Sequence, residues 1–205
     1  MMDRLGKDEG AVLPLVAILL VVLLLIAAFV VDLGGVRVER AANQVVADAA
    51  ASAAALTAGL TRDGAQVCED AKQYVALNSA SIGSVAELSG IDCSGFVTPQ
   101  CTNSTAEHAS STTVNGVFIE IAYPVADGST FMTSRQIGAP SQPASAADGG
   151  PCDRVGVRVQ TDWAGAFSGL VGAAQLPADV HAVADRKSTR LNSSHVRTSR
   201  MPSSA

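Results

Sequence analysis

The stretch FVVDLGGVRVERAANQVVADAA, residues 29–50, decides how this chain is built. A run of hydrocarbon side chains ends at Asp32, two glycines follow, and a charged but still helical pattern continues. Upstream, residues 11–31 read AVLPLVAILLVVLLLIAAFVV, 21 positions without a charged or hydrogen-bonding side chain. At 1.5 Å per residue they span about 31 Å, close to the ~30 Å hydrocarbon core of a bilayer. Sixteen of them are Leu, Ile, Val or Phe, each favouring insertion by roughly 0.3–0.6 kcal/mol. Pro14 falls in the first turn, where its missing N–H costs little. The apolar core of a cleaved signal peptide is shorter, about 7–15 residues, and no small-x-small cleavage pattern follows here. The reading is a transmembrane helix over 11–31.

Asp32 then stands where the hydrocarbon ends. Its carboxylate is expected to reach headgroups and water, since a charge at the midplane would cost about 2.5–3.5 kcal/mol. Downstream, Val31, Gly35, Val38, Ala42, Val45, Ala49, Ser52 and Leu56 recur at alternating spacings of four and three. This heptad-like stripe of small residues, centred on Gly35, Val38, Ala42, Val45 and Ala49, is the candidate surface for close approach of a helix or sheet. Arg37, Arg40, Asn43, Gln44 and Asp48 lie largely off it. Gly34 and Gly35 each cost about 1 kcal/mol relative to Ala and mark where a kink would form. Helix propensity is strongest in the Ala-rich turns beyond, so membrane helix and a stalk over 32–58 form one rod.

The other end of the chain changes character abruptly. Residues 185–205, DRKSTRLNSSHVRTSRMPSSA, are rich in Ser, Arg and Thr. The blocks DRKSTRLNSSH and SRMPSSA resemble the in-frame translation of a sequencing adapter, with Val196–Thr198 at its variable index. This tail is expected to be disordered and is set apart from fold reasoning, with native residues missing after it begins. Without its five basic residues and one acid, nine basic side chains face 18 acidic ones, a net charge of −9. An acidic chain of this kind will not track a phosphate backbone, which disfavours nucleic acid as a partner.

Cys68, Cys93, Cys101 and Cys152 all lie beyond the apolar span. An even count suits two disulfides in an oxidising compartment, in any of three pairings, with four buried thiols as the alternative. No pair has zinc-site spacing with nearby histidines, so no metal site is expected. Arg4 and Lys7 before the span balance Arg37 and Arg40 after it. Charge alone therefore sets no orientation. The cysteines place the C-terminal part outside and residues 1–10 in the cytoplasm.

Residues 59–184 suffice for one extracytoplasmic α+β domain. A helix is expected over about 65–79, with Val67, Ala71, Tyr74, Val75 and Asn78 on one side. The Ser-, Gly- and Thr-rich segment 79–115 reads as loop. In VFIEIAY, Val117, Ile119, Ile121 and Tyr123 alternate; in DRVGVRVQT, Val155, Val157 and Val159 alternate. Period-two patterning marks half-buried antiparallel strands. Residues 138–151 read as a flexible connection, Phe167 and Leu170 as the anchors of a short helix, and Val180, Ala182 and Ala184 as a third strand. No catalytic constellation appears. His108 lies in a polar loop and His181 in a strand, neither beside a nucleophile or acid, and Glu69–Asp70 reads as a solvated helix face. Asn103-Ser104-Thr105 is a chance sequon, and there is no glycine-rich phosphate loop. No cofactor and no small-molecule substrate are expected.

The block from Gly10 to Leu56 resembles the N-terminal segment of Tad/Flp pilus-assembly proteins of the TadE/TadG-like type. The resemblance rests on Gly10-Ala11 before the apolar span, Val31-Asp32-Leu33-Gly34 at its exit, the charged stretch Arg37 to Arg40, and Asn43 to Ala50. It covers residues 9–58. It implies a bitopic inner-membrane component of pilus biogenesis, not an enzyme, with the bilayer and other Tad/Flp pilus-assembly proteins as partners. Prepilins and TadE-like pseudopilins carry Glu five residues after the processing glycine; Leu15 holds that place here. Larger TadG-like proteins carry a D-x-S-x-S metal motif, and Asp127–Phe131 departs from it at Phe131. A long N-terminal helix with a small sheet is also the plan of pilin-like subunits, so a pilin-like or pseudopilin structural subunit is the alternative.

Overall fold

The computed structural model describes residues 12–96, 107–126, 128–132, 150–165, 167, 175–185 and 192–193. Helix α1, Val12–Thr61, is one helix of 50 residues, about 75 Å long. It runs unbroken through Gly34 and Gly35. It ends where Arg62 turns to a left-handed φ of 54° and donates its N–H to Ala58 O. Asp63 follows at once as the N-cap of helix α2, Gly64–Asn78, accepting from the N–H groups of Ala65 and Gln66. A side-chain acceptor here satisfies amides that have no partner within the helix. The two-residue link makes α1 and α2 an antiparallel hairpin.

The buried stripe of α2 is Val67, Cys68, Ala71, Lys72 and Val75. Tyr74 and Asn78, expected on that side, are exposed. Cys68 is bonded to Cys93 across 25 residues, a crosslink worth roughly 3–4 kcal/mol in the chain-entropy picture. Cys152 is disulfide-bonded too, and Cys101 lies outside the described residues.

The sheet is an antiparallel meander of β1 Ala109–Val114, β2 Val117–Ala122, β3 Arg154–Trp163 and β4 Leu176–Asp185, with the two-residue β5 Asn192–Ser193 at its edge. Strand β1 corrects the expectation of loop up to residue 115. Asn115 and Gly116, at φ 51° and 79°, supply the two left-handed positions that a tight hairpin requires. The third expected strand is β4. It includes Asp185, assigned above to the tail, and β5 pairs Ser193 with Ala182 and Asn192 with Val183. Asp185, Asn192 and Ser193 of the tail are thus strand residues; its other residues lie outside the described set, as do Leu170, Asn103–Thr105, Asp127 and residues 138–149. Phe167 stands in a turn.

The core forms where the second half of α1 lies between α2 and the sheet. Ala47, Ala50, Ala51, Ala54, Ala55 and Ala58 face Ile119, Ile121, Tyr123, Val155, Val157, Val159, Val180 and Ala182, all essentially buried. Small helix side chains let the axis sit close to a sheet of branched ones. On the opposite face of the sheet, the segment after β2 folds back so that Val125 and Phe131 cover Ala122 and Val183. Phe131 sits so close to Gly156 that a Cβ there would meet its ring at 2.7 Å.

Candidate membrane anchor and stalk–head junction

Among the described residues, nothing buries the apolar part of α1. Its most apolar 18-residue window is entirely uncovered by the rest of the chain, and every Leu, Ile, Val and Phe from Val12 to Val31 is exposed. A core helix of a soluble protein would be covered. Each uncovered side chain leaves its transfer free energy unrealised in water, whereas a bilayer of matching thickness supplies it. Asp32 then begins a different regime.

Its carboxylate is 5% exposed and accepts the backbone N–H of Phe167 at 3.0 and 3.3 Å. The expectation that it faces headgroups and water is corrected: the turn after β3 covers it, because a loop amide with no strand partner needs an acceptor. One turn on, Gly35 lies against the Trp163 indole, where a Cβ would come within 2.4 Å. The Trp163 Nε1 is buried with no hydrogen-bond partner among the described residues. Glu39 accepts the Thr161 hydroxyl at 3.0 Å, and Arg40 donates to Pro177 O at 3.1 Å. Asn43 donates to Ala178 O at 2.8 Å and to Thr161 Oγ1 at 2.9 Å. Gln44 spans to Asp48 on its own helix.

The face of α1 that meets the head is therefore Asp32, Val36, Glu39, Asn43, Ala47, Ala50, Ala54 and Ala58. It lies about one residue, or 100°, around the helix from the stripe read in the sequence. Of that stripe, Val38 is 72% and Val45 61% exposed, Ala42 is exposed, and Gly35 and Ala49 are half-buried. Leu56 is exposed too. The sequence reading missed Asn43 and Glu39 because polar residues count against an apolar stripe. The signal that finds them is their spacing from Asp32, eleven residues for Asn43 and seven for Glu39, in phase with the Ala ladder.

Elsewhere the polar groups are structural. Arg158 is held by Asp179 through two bonds of 2.7 and 2.8 Å, pairs with Glu120 at 3.6 Å and lies over the Phe118 ring. The hydrogen bond from Asp179 keeps this guanidinium above its ordinary range. His181 meets Phe131 edge-on, and His108 meets Phe96 in the same way. The recess between Glu120, Thr130, Phe131, Arg158 and His181 is too narrow for a water molecule. Lys72 pairs with Glu69, and Asp70 accepts the Thr57 hydroxyl of α1. The Ser94 hydroxyl and N–H hold the Asp92 carboxyl below its usual value. Among the described residues no three His, Cys, Asp or Glu side chains converge on a metal position.

Geometry thus defines a class: a head packed on one half of a helix whose other half the described residues leave uncovered. Residues 10–58 match the family model Tad, described as putative Flp pilus-assembly TadE/G-like. The match takes in the apolar span, the junction and the Ala ladder, and confirms the resemblance read from Gly10-Ala11 to Ala50. This family is a pilus-assembly component, not an enzyme family, and its presence supports a role in pilus assembly. Searches of curated proteins and of solved structures found no match.

Proposed function

We propose that this chain is a bitopic component of Tad/Flp pilus assembly that works by protein–protein contact and not by catalysis. Its α1 crosses the inner membrane over residues 11–31, with Asp32 at the boundary, residues 1–10 in the cytoplasm and the head outside. The observation that carries this reading is the wholly uncovered apolar half of α1 inside the segment that matches the pilus-assembly family. The Cys68–Cys93 disulfide supports an oxidising, extracytoplasmic setting for the head. Partners are other pilus-assembly proteins, met through neighbouring membrane helices and the surface of the head.

Deleting the coding region should abolish piliation, and the full chain should restore it. Protease added to spheroplasts should digest the head and spare an epitope placed before residue 10. Normal piliation in the deletion strain would end the assembly reading; protection of the head would reverse the orientation.

A second reading, a pilin-like structural subunit, has one observation in its favour: the second half of α1 packs across an antiparallel sheet. Recovery of the chain in sheared filaments would select it. Full retention of the N-terminus in the membrane fraction would select the assembly component.

A further inference from the structure

We infer that the turn after β3 is a second lipid contact: Phe167, four residues after Trp163, enters the bilayer interface beside α1 and fixes the head against the membrane plane. This rests on the reading of α1 as the membrane anchor. If the hydrocarbon ends at Val31, then the Phe167 N–H, bonded to the Asp32 carboxylate, lies at that level. Trp163, against Gly35, is about 4.5 Å further along the helix axis, still within the interfacial layer.

The Phe167 side chain is 43% exposed there, and no charged residue occurs from Trp163 to Leu176 in the sequence. The other large exposed apolar side chains of the head among the described residues are Leu60, beside Thr61 at the far end of α1, and Tyr74 and Leu77 of α2. They sit elsewhere. Asp32 lies about 43 Å below Thr61 along α1, while α2 turns back for only about 22 Å, so it stops roughly 20 Å short of the boundary. Phe167 is thus the exposed aromatic group that the fold lowers to the lipid. Aromatic side chains with an apolar body gain most at that depth. A lone helix can tilt and turn in the bilayer and carry the packed head with it; a second contact fixes that tilt and rotation relative to the membrane plane.

Trp163 is the sole tryptophan, so its emission reports the site without labelling. The full chain would be reconstituted in phosphatidylcholine–phosphatidylglycerol vesicles. Acyl chains brominated near the headgroup would be compared with chains brominated near their ends, and with aqueous iodide. A paired variant, Trp163→Phe with Phe167→Trp, moves the indole to position 167 and leaves its backbone bond to Asp32 intact. We expect both indoles to be quenched by shallow bromine, the one at 167 more strongly, with little effect of iodide on either. If the chain floats with the vesicles while the indole at 167 is quenched by iodide and not by brominated lipid, the second contact is refuted and the α1 anchor stands. A chain that fails to float removes both.

Discussion

Asn43 uses both amide protons to join α1 to the sheet, at Ala178 O and Thr161 Oγ1, from a position 6% exposed. Asn43→Ala leaves buried acceptors without their donor, so we expect a loss of about 1–3 kcal/mol of stability, read by denaturant titration of the detergent-solubilised chain. Tyr123 is buried among the core residues and donates its hydroxyl to Cys152 O at 3.1 Å. Burial raises its pKa above the ordinary 10.0. A phenol raised in the folded state contributes stability that is full below pH 10 and lost as pH climbs through the folded value. Tyr123→Phe should lose about 1 kcal/mol at neutral pH and flatten the alkaline limb of the stability–pH curve. An unchanged limb would show that another group carries it. Neither residue's partner was legible beforehand. Asn43 read as a polar position off the small-residue stripe and Tyr123 as an alternating strand side chain, because hydrogen-bond partners more than 20 residues away leave no trace in local spacing.

At the scale of the element, α1 shows what periodicity can and cannot determine. That 12–58 is one helix was legible, from an apolar run of bilayer length followed by Ala-rich turns. The choice of face was not, since small residues surround the helix from Ala41 to Ala58 and two stripes one residue apart are nearly equal in apolar content. The sheet chooses the one that also presents Asp32, Glu39 and Asn43, because the unpaired backbone groups near the β3–β4 turn need partners. A substitution pair checks the assignment. Ala50→Leu, on the fully buried side, should cost about 1–3 kcal/mol through overpacking, whereas Ala42→Leu, on the exposed side, should stay within about 0.5 kcal/mol. Strand β1 escaped the sequence reading for a related reason. Its residues, ASSTTV, pack an edge without a strongly apolar face, although Asn115-Gly116 was a hairpin signal in plain view.

Across the whole molecule, one helix has two parts with different surroundings. From Val12 to Val31 its environment is uniform, and from Asp32 onward it is two-sided. The α+β class, the two Val-rich strands and their antiparallel sense were all carried by alternation in VFIEIAY and RVGVRV. The folding of the turn after β3 onto Asp32 was not, since it depends on a contact between residues 135 positions apart. That contact ties the head to the exit of the apolar segment, so the joint between them is rigid.

The most direct test is a nitroxide scan of α1 from Val12 to Thr61 in vesicle-reconstituted full chain, comparing collision with oxygen and with a water-soluble nickel chelate. The account predicts oxygen access on every face and nickel exclusion up to Val31, with a change of regime at Asp32. Beyond it, access should follow a 3.6-residue period, with minima at Val36, Asn43, Ala47, Ala50, Ala54 and Ala58. Nickel access between Ile18 and Ile26, or uniform access beyond Asp32, would contradict the single rod shared by lipid and sheet.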